Sequence, residues 1–377
     1  MRILYLADDI YSLRGGTEQH LFWLLRKIPT SEFEKRFIIF SSLHVPNDFI
    51  SEPAPIILGQ KFGLGFFSWL RRFYFLLRYI RKHKIELIQA FSPTGEFAAA
   101  LAAALSHRGI IVIGNRRDCG YDRPLRYRWM FWLARKLGVR YIANSEAARQ
   151  AAFHNDKTPL KSITVIRNPI AFDRIKSGLS KPLSLAELPL PNATSHNRKI
   201  VGMVATIRPI KDYATLIRAA KIILAKFPDT QFLFVGEADA THQKELTQLA
   251  IQEKVSENII WYGGVDNPLK LVALFDVAVL SSHSESFSNA VLEYAAAAKP
   301  IVISDVGGLN EIIQNNHSGF LVPPENPTKL AEKIITLLEN TELAKQLGKN
   351  AKEITFQNYN EEKILNQYVE YYKTLKK

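Results

Sequence analysis

What most constrains this chain is an alternation that runs through it twice. Short β-rich runs and helix-like stretches follow one another from the amino terminus, lose their rhythm near residue 171, and resume near residue 199. In the first series RILYLAD reads as a strand, Thr17–Lys27 as a helix and RFIIFSS as a strand. Phe66–Lys82, ELIQAFS and the alanine-rich Glu96–Ser106 continue it, and IIVIGN, RYIANS and SITVIRN add further strands. In the second series IVGMVAT, QFLFVGE, IIWYG, VAVLSS and PIVISD read as strands. Helices fall at TLIRAAKIILAKF, KELTQLAIQEK, Asn289–Ala298 and Lys329–Leu338, and a polar-aromatic helix, Glu361–Lys376, closes the sequence. Strands that alternate with helices imply parallel βαβ units covered on both faces. The fold class is therefore α/β, with two doubly wound halves and ligands expected in a cleft at the carboxyl ends of the strands. Ala171–Asn197, rich in Pro and Ser and without a clear period, is the expected linker.

The length of 377 residues suits about two domains of ~150 residues each. An apolar share of 47% excludes wholesale disorder. The single cysteine, Cys119, excludes a disulfide framework and a multi-cysteine metal site, and fits a reducing compartment. No run approaches the ~18 apolar residues of a membrane span. Asp8 and Asp9 cut short the apolar core that a signal peptide would need. A cytoplasmic protein is expected.

The net charge of +13 is unevenly placed: residues 1–170 hold 26 Lys and Arg against 13 Asp and Glu, and the remainder holds 23 of each. Two segments, Lys61–Lys84 and Arg108–Arg140, interleave the basic residues with Trp, Phe and Tyr. Core helices with basic outer faces account for this. So does attraction to anionic lipid or a lipid-linked phosphate, carried by Arg71, Arg72, Arg78 and Arg81. No zinc-finger spacing or basic zipper is present, and nucleic acid is not an expected partner.

The strongest local signal is SSHSESFSNAVLEYAAAAKP. Glu285 and Glu293 lie eight residues apart, and a helix begins near Ser288 after the strand VAVLSS. The amides of Phe287, Ser288 and Asn289 at such a helix start attract phosphate. Glu293, inside an apolar helix, requires a hydrogen-bonding partner. Arg208 and Lys211 follow the strand IVGMVA and suit a diphosphate there, or simply a solvated turn. Gly15 and Gly16 sit between the first strand and a helix, where glycine allows close backbone approach, although GG is not the GxGxxG fingerprint. Arg116, Arg117 and Asp118 follow IIVIGN and reach towards the same cleft, with Asp118 equally suited to an ion pair with the two guanidiniums. His20 and His283 are read as structural. One carboxylate pair, Glu237 and Asp239, does not make a metal site.

Together these segments resemble the group 1 retaining glycosyltransferases (family 4) of the GT-B fold, nearly end to end. RILYLADDIYSLRGGTEQHL is similar to the family's opening strand and glycine loop. SITVIRNPI resembles its hinge strand, with Asn168 retained, and VGMVATIRPIKDYATLIRAA the start of its donor domain. FLFVGEADATHQKEL and IIWYGGVDN, which includes Val265, resemble the segments that border the nucleotide base. ESFSNAVLE resembles the two-glutamate motif, and ISDVGGLNEII with SGFLVPPENP completes the order.

The resemblance implies an acceptor domain over 1–170 and a donor domain over 199–358, joined by a linker at 171–198. Residues 359–377 would pack back as a helix on the first domain. It implies a nucleoside-diphosphate sugar as donor, UDP- or GDP-linked, no cofactor and no required metal. A glycan or lipid-linked acceptor follows, in cell-envelope polysaccharide or glycolipid synthesis. By the same resemblance Glu293 holds the ribose hydroxyls and Glu285 lies near the transferred sugar. Phe287, Ser288 and Asn289 hold sugar and phosphate, Lys211 and Arg208 stabilise the departing diphosphate, and Gly16 approaches the donor phosphate. Gly15, Arg117 and Asp118 fall on the acceptor side. Three positions depart from the family pattern: Thr206 stands where an arginine is usual, Pro169 replaces the hinge glycine, and Asp212 replaces the glycine after the lysine. An epimerase, a phosphorylase or a non-catalytic binding module would share the fold, but Lys211, Glu285 and Glu293 together argue for a working transferase.

Overall fold

The computed structural model describes residues 1–10, 15–42, 52–63, 65–120, 126–180, 183, 187–188 and 198–376. The chain divides into two compact units. Unit 1 comprises Met1–Asn168 and Ile364–Lys377, and unit 2 comprises Pro169–Lys363.

Unit 1 is built on strands β1 (Arg2–Ala7), β2 (Glu34–Ile39), β3 (Ile56–Ile57), β4 (Leu87–Ala90), β5 (Ile111–Arg116), β6 (Arg140–Ala143) and β7 (Ile163–Val165). All pair in parallel, in the order β3-β2-β1-β4-β5-β6-β7. The period-two alternation of β1 sends its side chains to two cores. Ile3, Tyr5 and Ala7 meet Leu21, Leu24 and Tyr372 on one face, while Leu4 and Leu6 meet Leu76, Ile80 and Ala98 on the other. The closing helix Glu361–Leu375 buries Ile364, Tyr368 and Tyr372 in the first of these cores. Its hydroxyls find partners there: Tyr368 shares a 2.8 Å hydrogen bond with His20 Nε2, and Tyr372 donates to the side-chain carbonyl of Gln89. Burial holds the His20 imidazole well below its usual pKa, so it stays neutral.

Unit 2 carries β8 (Ile200–Val204), β9 (Gln231–Val235), β10 (Ile259–Gly263), β11 (Val277–Leu280), β12 (Ile301–Ser304) and β13 (Phe320–Val322), again all parallel, in the order β10-β9-β8-β11-β12-β13. In each sheet the order reverses beside the first strand, between β1 and β4 and between β8 and β11. Loops leaving the carboxyl ends of those pairs diverge and open a crevice, the place where ligands bind in open parallel sheets.

The segment expected as a linker is corrected in part. Its first residues form a helix, Phe172–Leu179, which belongs to unit 2 and packs on Leu269–Val272. The approach is close: a Cβ on Gly178 would stand 2.5 Å from the Leu269 Cβ. Within the remainder, residues 181–182, 184–186 and 189–197 lie outside the described residues. Among the described residues, the helices Leu58–Phe62, Glu146–Asp156, Leu269–Val272 and Thr341–Asn358 had no counterpart in the sequence reading, and Arg126–Lys136 is a helix inside the basic-aromatic segment Arg108–Arg140. Among the described residues no helix is long and apolar enough to cross a membrane.

Candidate functional site

The crevice of unit 2 gathers residues from the ends of β8 and β11. After β8 the chain makes a single 3-10 turn, Pro209–Lys211, and then starts the helix Tyr213–Leu224 at Asp212. Asp212 sits in the left-handed region (φ 47°), a conformation that favours glycine and is open to Asp and Asn. Its Oδ1 accepts the Thr215 amide at 3.1 Å and caps the helix, which explains how Asp stands at this glycine position. The turn aims Lys211 at the loop that follows β11, where its ammonium pairs with Glu285 Oε1. Ser282 donates to the same oxygen at 2.9 Å, and the Glu285 carbonyl accepts the Gly308 amide at 3.0 Å. The two loops are also tied by their backbones, His283 N to Ile210 O at 2.9 Å.

Beyond Glu285 the helix Asn289–Ala296 begins. Ser288 is its cap, accepting the Val291 amide, and Phe287 is buried with its ring 5.3 Å from that of Tyr359. The 287–289 amides thus sit at a fixed helix amino terminus, beside the Lys211–Glu285 pair in sequence. One helical turn further, Glu293 is nearly buried and ion-paired, Oε1 to Arg174 Nε at 2.9 Å. Burial raises the Glu293 carboxyl above the usual carboxylate range, and Arg174 pulls it part of the way back. Arg174 lies on the unexpected helix Phe172–Leu179, so the sequence reading missed it. The signal that could have found it was the demand of a buried Glu293 for a cation. Arg208, by contrast, is exposed and has no ion-pair partner among the described residues. Val265 lies two residues past β10, partly buried against the unit 2 core.

In unit 1, Gly15 and Gly16 follow β1 and open the helix Gly16–Lys27, the Gly15 carbonyl accepting the Gln19 amide at 2.9 Å. Arg117, just past β5, reaches both the Gly16 carbonyl (3.4 Å) and Asn168 Oδ1 (2.9 Å). Burial lowers its pKa to about 10. The structure thereby joins the glycine pair, Arg117 and Asn168. Asp118 is exposed and accepts the Gly120 amide at 2.7 Å. Arg116, expected near the ligand crevice, is instead interior: it pairs with Glu96 at 2.6 Å and Asp156 at 3.4 Å, between the rings of Phe131 and Tyr141. Asp8, directly after β1, does more than break an apolar run. Burial pushes its carboxyl up to about 6, against hydrogen bonds from Ser92 and Thr94 that pull it down.

Two family profiles match the chain, one to each half: "Glycosyltransferase Family 4" over residues 14–174 and "Glycosyl transferases group 1" over 187–354. Among similar curated proteins is the N-acetyl-alpha-D-glucosaminyl L-malate synthase of Bacillus anthracis, 29% identical over 57% of this chain and 54% of its own length. The matched region thus spans about half of that relative. The N,N'-diacetylbacillosaminyl-diphospho-undecaprenol alpha-1,3-N-acetylgalactosaminyltransferase of Campylobacter jejuni is 28% identical over 83% of both chains. Among solved structures, Anabaena Alr3699/HepE in complex with UDP superposes with a TM-score of 0.79 at 21% identity, covering 99% of this chain and all of that one. That likeness is one of fold, and the fold is GT-B.

Proposed function

We propose a function from the premise that this chain belongs to the group 1 (family 4) glycosyltransferases: it moves a sugar from a nucleoside-diphosphate sugar to a hydroxyl of a glycan or lipid-linked acceptor, in cell-envelope polysaccharide or glycolipid synthesis. The observation that carries this reading is the Lys211–Glu285 pair, seated at the strand-order reversal of unit 2 beside a helix amino terminus. A diphosphate bound there meets an ammonium and the 287–289 amides. The charge that develops on it as the sugar departs is stabilised by groups already in place. Arg208, exposed and without a carboxylate partner among the described residues, adds a second positive charge. Glu293 accepts the ribose hydroxyls, in exchange for or in addition to Arg174. Glu285 contacts the transferred sugar.

The bond between the anomeric carbon and the diphosphate oxygen breaks. The acceptor oxygen bonds to that carbon on the same face, so configuration is retained, and the acceptor proton passes to the leaving diphosphate. No metal is required, because protein cations and amides take the diphosphate charge. The acceptor binds unit 1 near Gly15, Gly16 and Arg117, with Asp118 at its edge. Uridine is the first base to test, since the Anabaena protein was solved with UDP, and the Campylobacter relative's name describes a lipid-linked acceptor.

The experiment is a thermal-shift screen against UDP, GDP, ADP and their common sugars, followed by transfer assays with the donor that stabilises. About 100 Kd of a ligand adds ~2.7 kcal/mol. Proton NMR of the product reports the anomer. Inversion at the anomeric carbon, or the absence of any nucleotide-dependent shift, contradicts the reading.

A further inference from the structure

We propose that unit 1 docks on an anionic lipid bilayer through the outer faces of the helices Phe66–Lys82 and Arg126–Lys136. The first helix is strictly two-sided. Arg72, Leu76 and Ile80 are buried, and the outward positions recur every three or four residues, through Phe67, Leu70, Tyr74, Arg78 and Arg81. Its amino-terminal half presents large apolar groups to solvent: Phe66 is 72% exposed, Phe67 78% and Tyr74 60%. Its carboxyl half presents Arg78 and Lys82. The second helix adds Trp129 and Trp132, each about half exposed. These are one surface and not two. The Trp69 ring lies 6.3 Å from that of Phe97, and Phe97 lies 4.9 Å from Trp129, so tilted and edge-on aromatic contacts through the helix Pro93–Ser106 join the amino ends of the two helices.

Scattered apolar residues on a surface need no explanation, but five exposed aromatics on two helices that cover the same face of the sheet form a patch that marks an interaction surface. Its charge selects the partner. Lys61–Lys84 and Arg126–Lys136 contain no Asp or Glu at all, and unit 1 carries the whole net positive charge of the first 170 residues. Trp, Tyr and Phe beside Arg and Lys suit the headgroup boundary of an anionic bilayer, which accepts aromatic rings without matching their shape. The helix ends concerned lie at the carboxyl end of the unit 1 sheet, the end that also carries Gly15, Gly16 and Arg117. Docking on the outer faces therefore lays this side of unit 1 along the lipid surface, with the carboxyl end of the sheet at one edge of it. The inference does not depend on the transfer reaction and is tested without it.

The structure also selects the probes. Arg72 serves the interior, donating to the Phe40 carbonyl at 3.0 Å, and Arg81 donates to the Leu105 carbonyl, so neither is a clean charge probe. The test is co-sedimentation of the full chain with phosphatidylcholine vesicles, with and without phosphatidylglycerol. The variants are a charge set (Arg71→Ser, Arg78→Ser, Lys82→Ser) and an aromatic set (Phe66→Ser, Phe67→Ser, Trp132→Ser). All six positions are exposed, and the circular dichroism and melting temperature of each variant verify folding. Wild type is expected to sediment with the anionic vesicles at low salt and to be released at high salt. The charge set should bind about 100-fold more weakly, at roughly fivefold per residue. The aromatic set should retain only salt-sensitive binding. Three results overturn the proposal: no sedimentation of wild type on anionic vesicles at low salt, equal sedimentation of wild type and both variants, or a homodimer in light scattering that the aromatic set dissolves. The last makes the patch a contact between copies of the chain.

Discussion

Arg174 and Glu293 meet inside unit 2, Nε to Oε1 at 2.9 Å, and so couple the helix after Pro169 to the helix after β11. The pair is unequal. Glu293 is the more buried, and its carboxyl remains raised even with the guanidinium beside it. A carboxylate kept at a desolvation cost is what the proposed ribose-binding role of Glu293 requires, because binding groups are held at the expense of the ligand-free fold.

The first prediction follows from the direction of that shift. A folded-state pKa above the unfolded one means the native protein holds this proton more tightly. The Glu293 contribution to stability is then present below the usual carboxylate pKa and lost as pH rises through the raised value. Glu293→Gln should therefore melt like wild type at acidic pH, where the carboxyl is protonated in both states, and above it once the carboxyl is ionised. With saturating UDP the order should reverse. Arg174→Ala should melt lower than wild type at neutral pH and bind donor more weakly. Melting curves across pH, with and without nucleotide, decide this. A pH-independent difference between wild type and Glu293→Gln contradicts it.

The second concerns the charge on the departing group. Lys211→Ala should reduce transfer by ~100-fold or more, the scale of losing one electrostatic stabiliser. Glu285→Gln should lower kcat while largely sparing nucleotide binding, and Glu293→Ala should raise the donor KM. EDTA should leave wild-type transfer unchanged. Loss of transfer in EDTA, restored by magnesium or manganese, moves the diphosphate charge from Lys211 to a metal.

Much of this arrangement was legible in the sequence. Runs such as ILYLA and IVGMV are apolar on both faces, which only a buried parallel strand requires, and Glu285 and Glu293 stand out against an apolar helix. The misses have separate physical bases. The helices Glu146–Asp156 and Thr341–Asn358 bury mostly small residues (Ala148 and Ala152, then Ala344 and Ala351), so neither has the bulky apolar stripe that reveals an amphipathic helix. The helix Phe172–Leu179 was hidden by the proline-rich chain after it, and Arg174 was hidden with it. For Arg116, strand position was legible but not direction: it points into a core where Glu96 and Asp156 await it, and nothing local in GNRRDCG distinguishes it from Arg117.

That interior arginine gives the third prediction. Arg116→Leu leaves the Glu96 and Asp156 carboxylates buried without their cation, so it should destabilise by roughly 3–5 kcal/mol. Arg117→Ala, which loses contacts to Gly16 and Asn168 near the proposed acceptor site, should cost far less stability and more acceptor KM. Denaturant unfolding of both variants separates the two roles. Equal destabilisation would return Arg116 and Arg117 to a single function.

The fourth prediction uses the residue after Lys211. Asp212 occupies a left-handed conformation and caps the following helix, so it combines a backbone cost with a side-chain benefit. Glycine removes both, while alanine keeps the cost and loses the cap. Asp212→Ala should therefore lose roughly 1–2 kcal/mol, about 1 from the cap and the rest because alanine adopts the left-handed region less readily than aspartate. Asp212→Gly should stay within about 1 kcal/mol of wild type, because glycine adopts this φ freely. Transfer should follow the same order, since the turn that holds Lys211 ends here. If the alanine variant is as stable as the glycine variant, the backbone at 212 relaxes out of the left-handed region and the turn is not what aims Lys211 at Glu285.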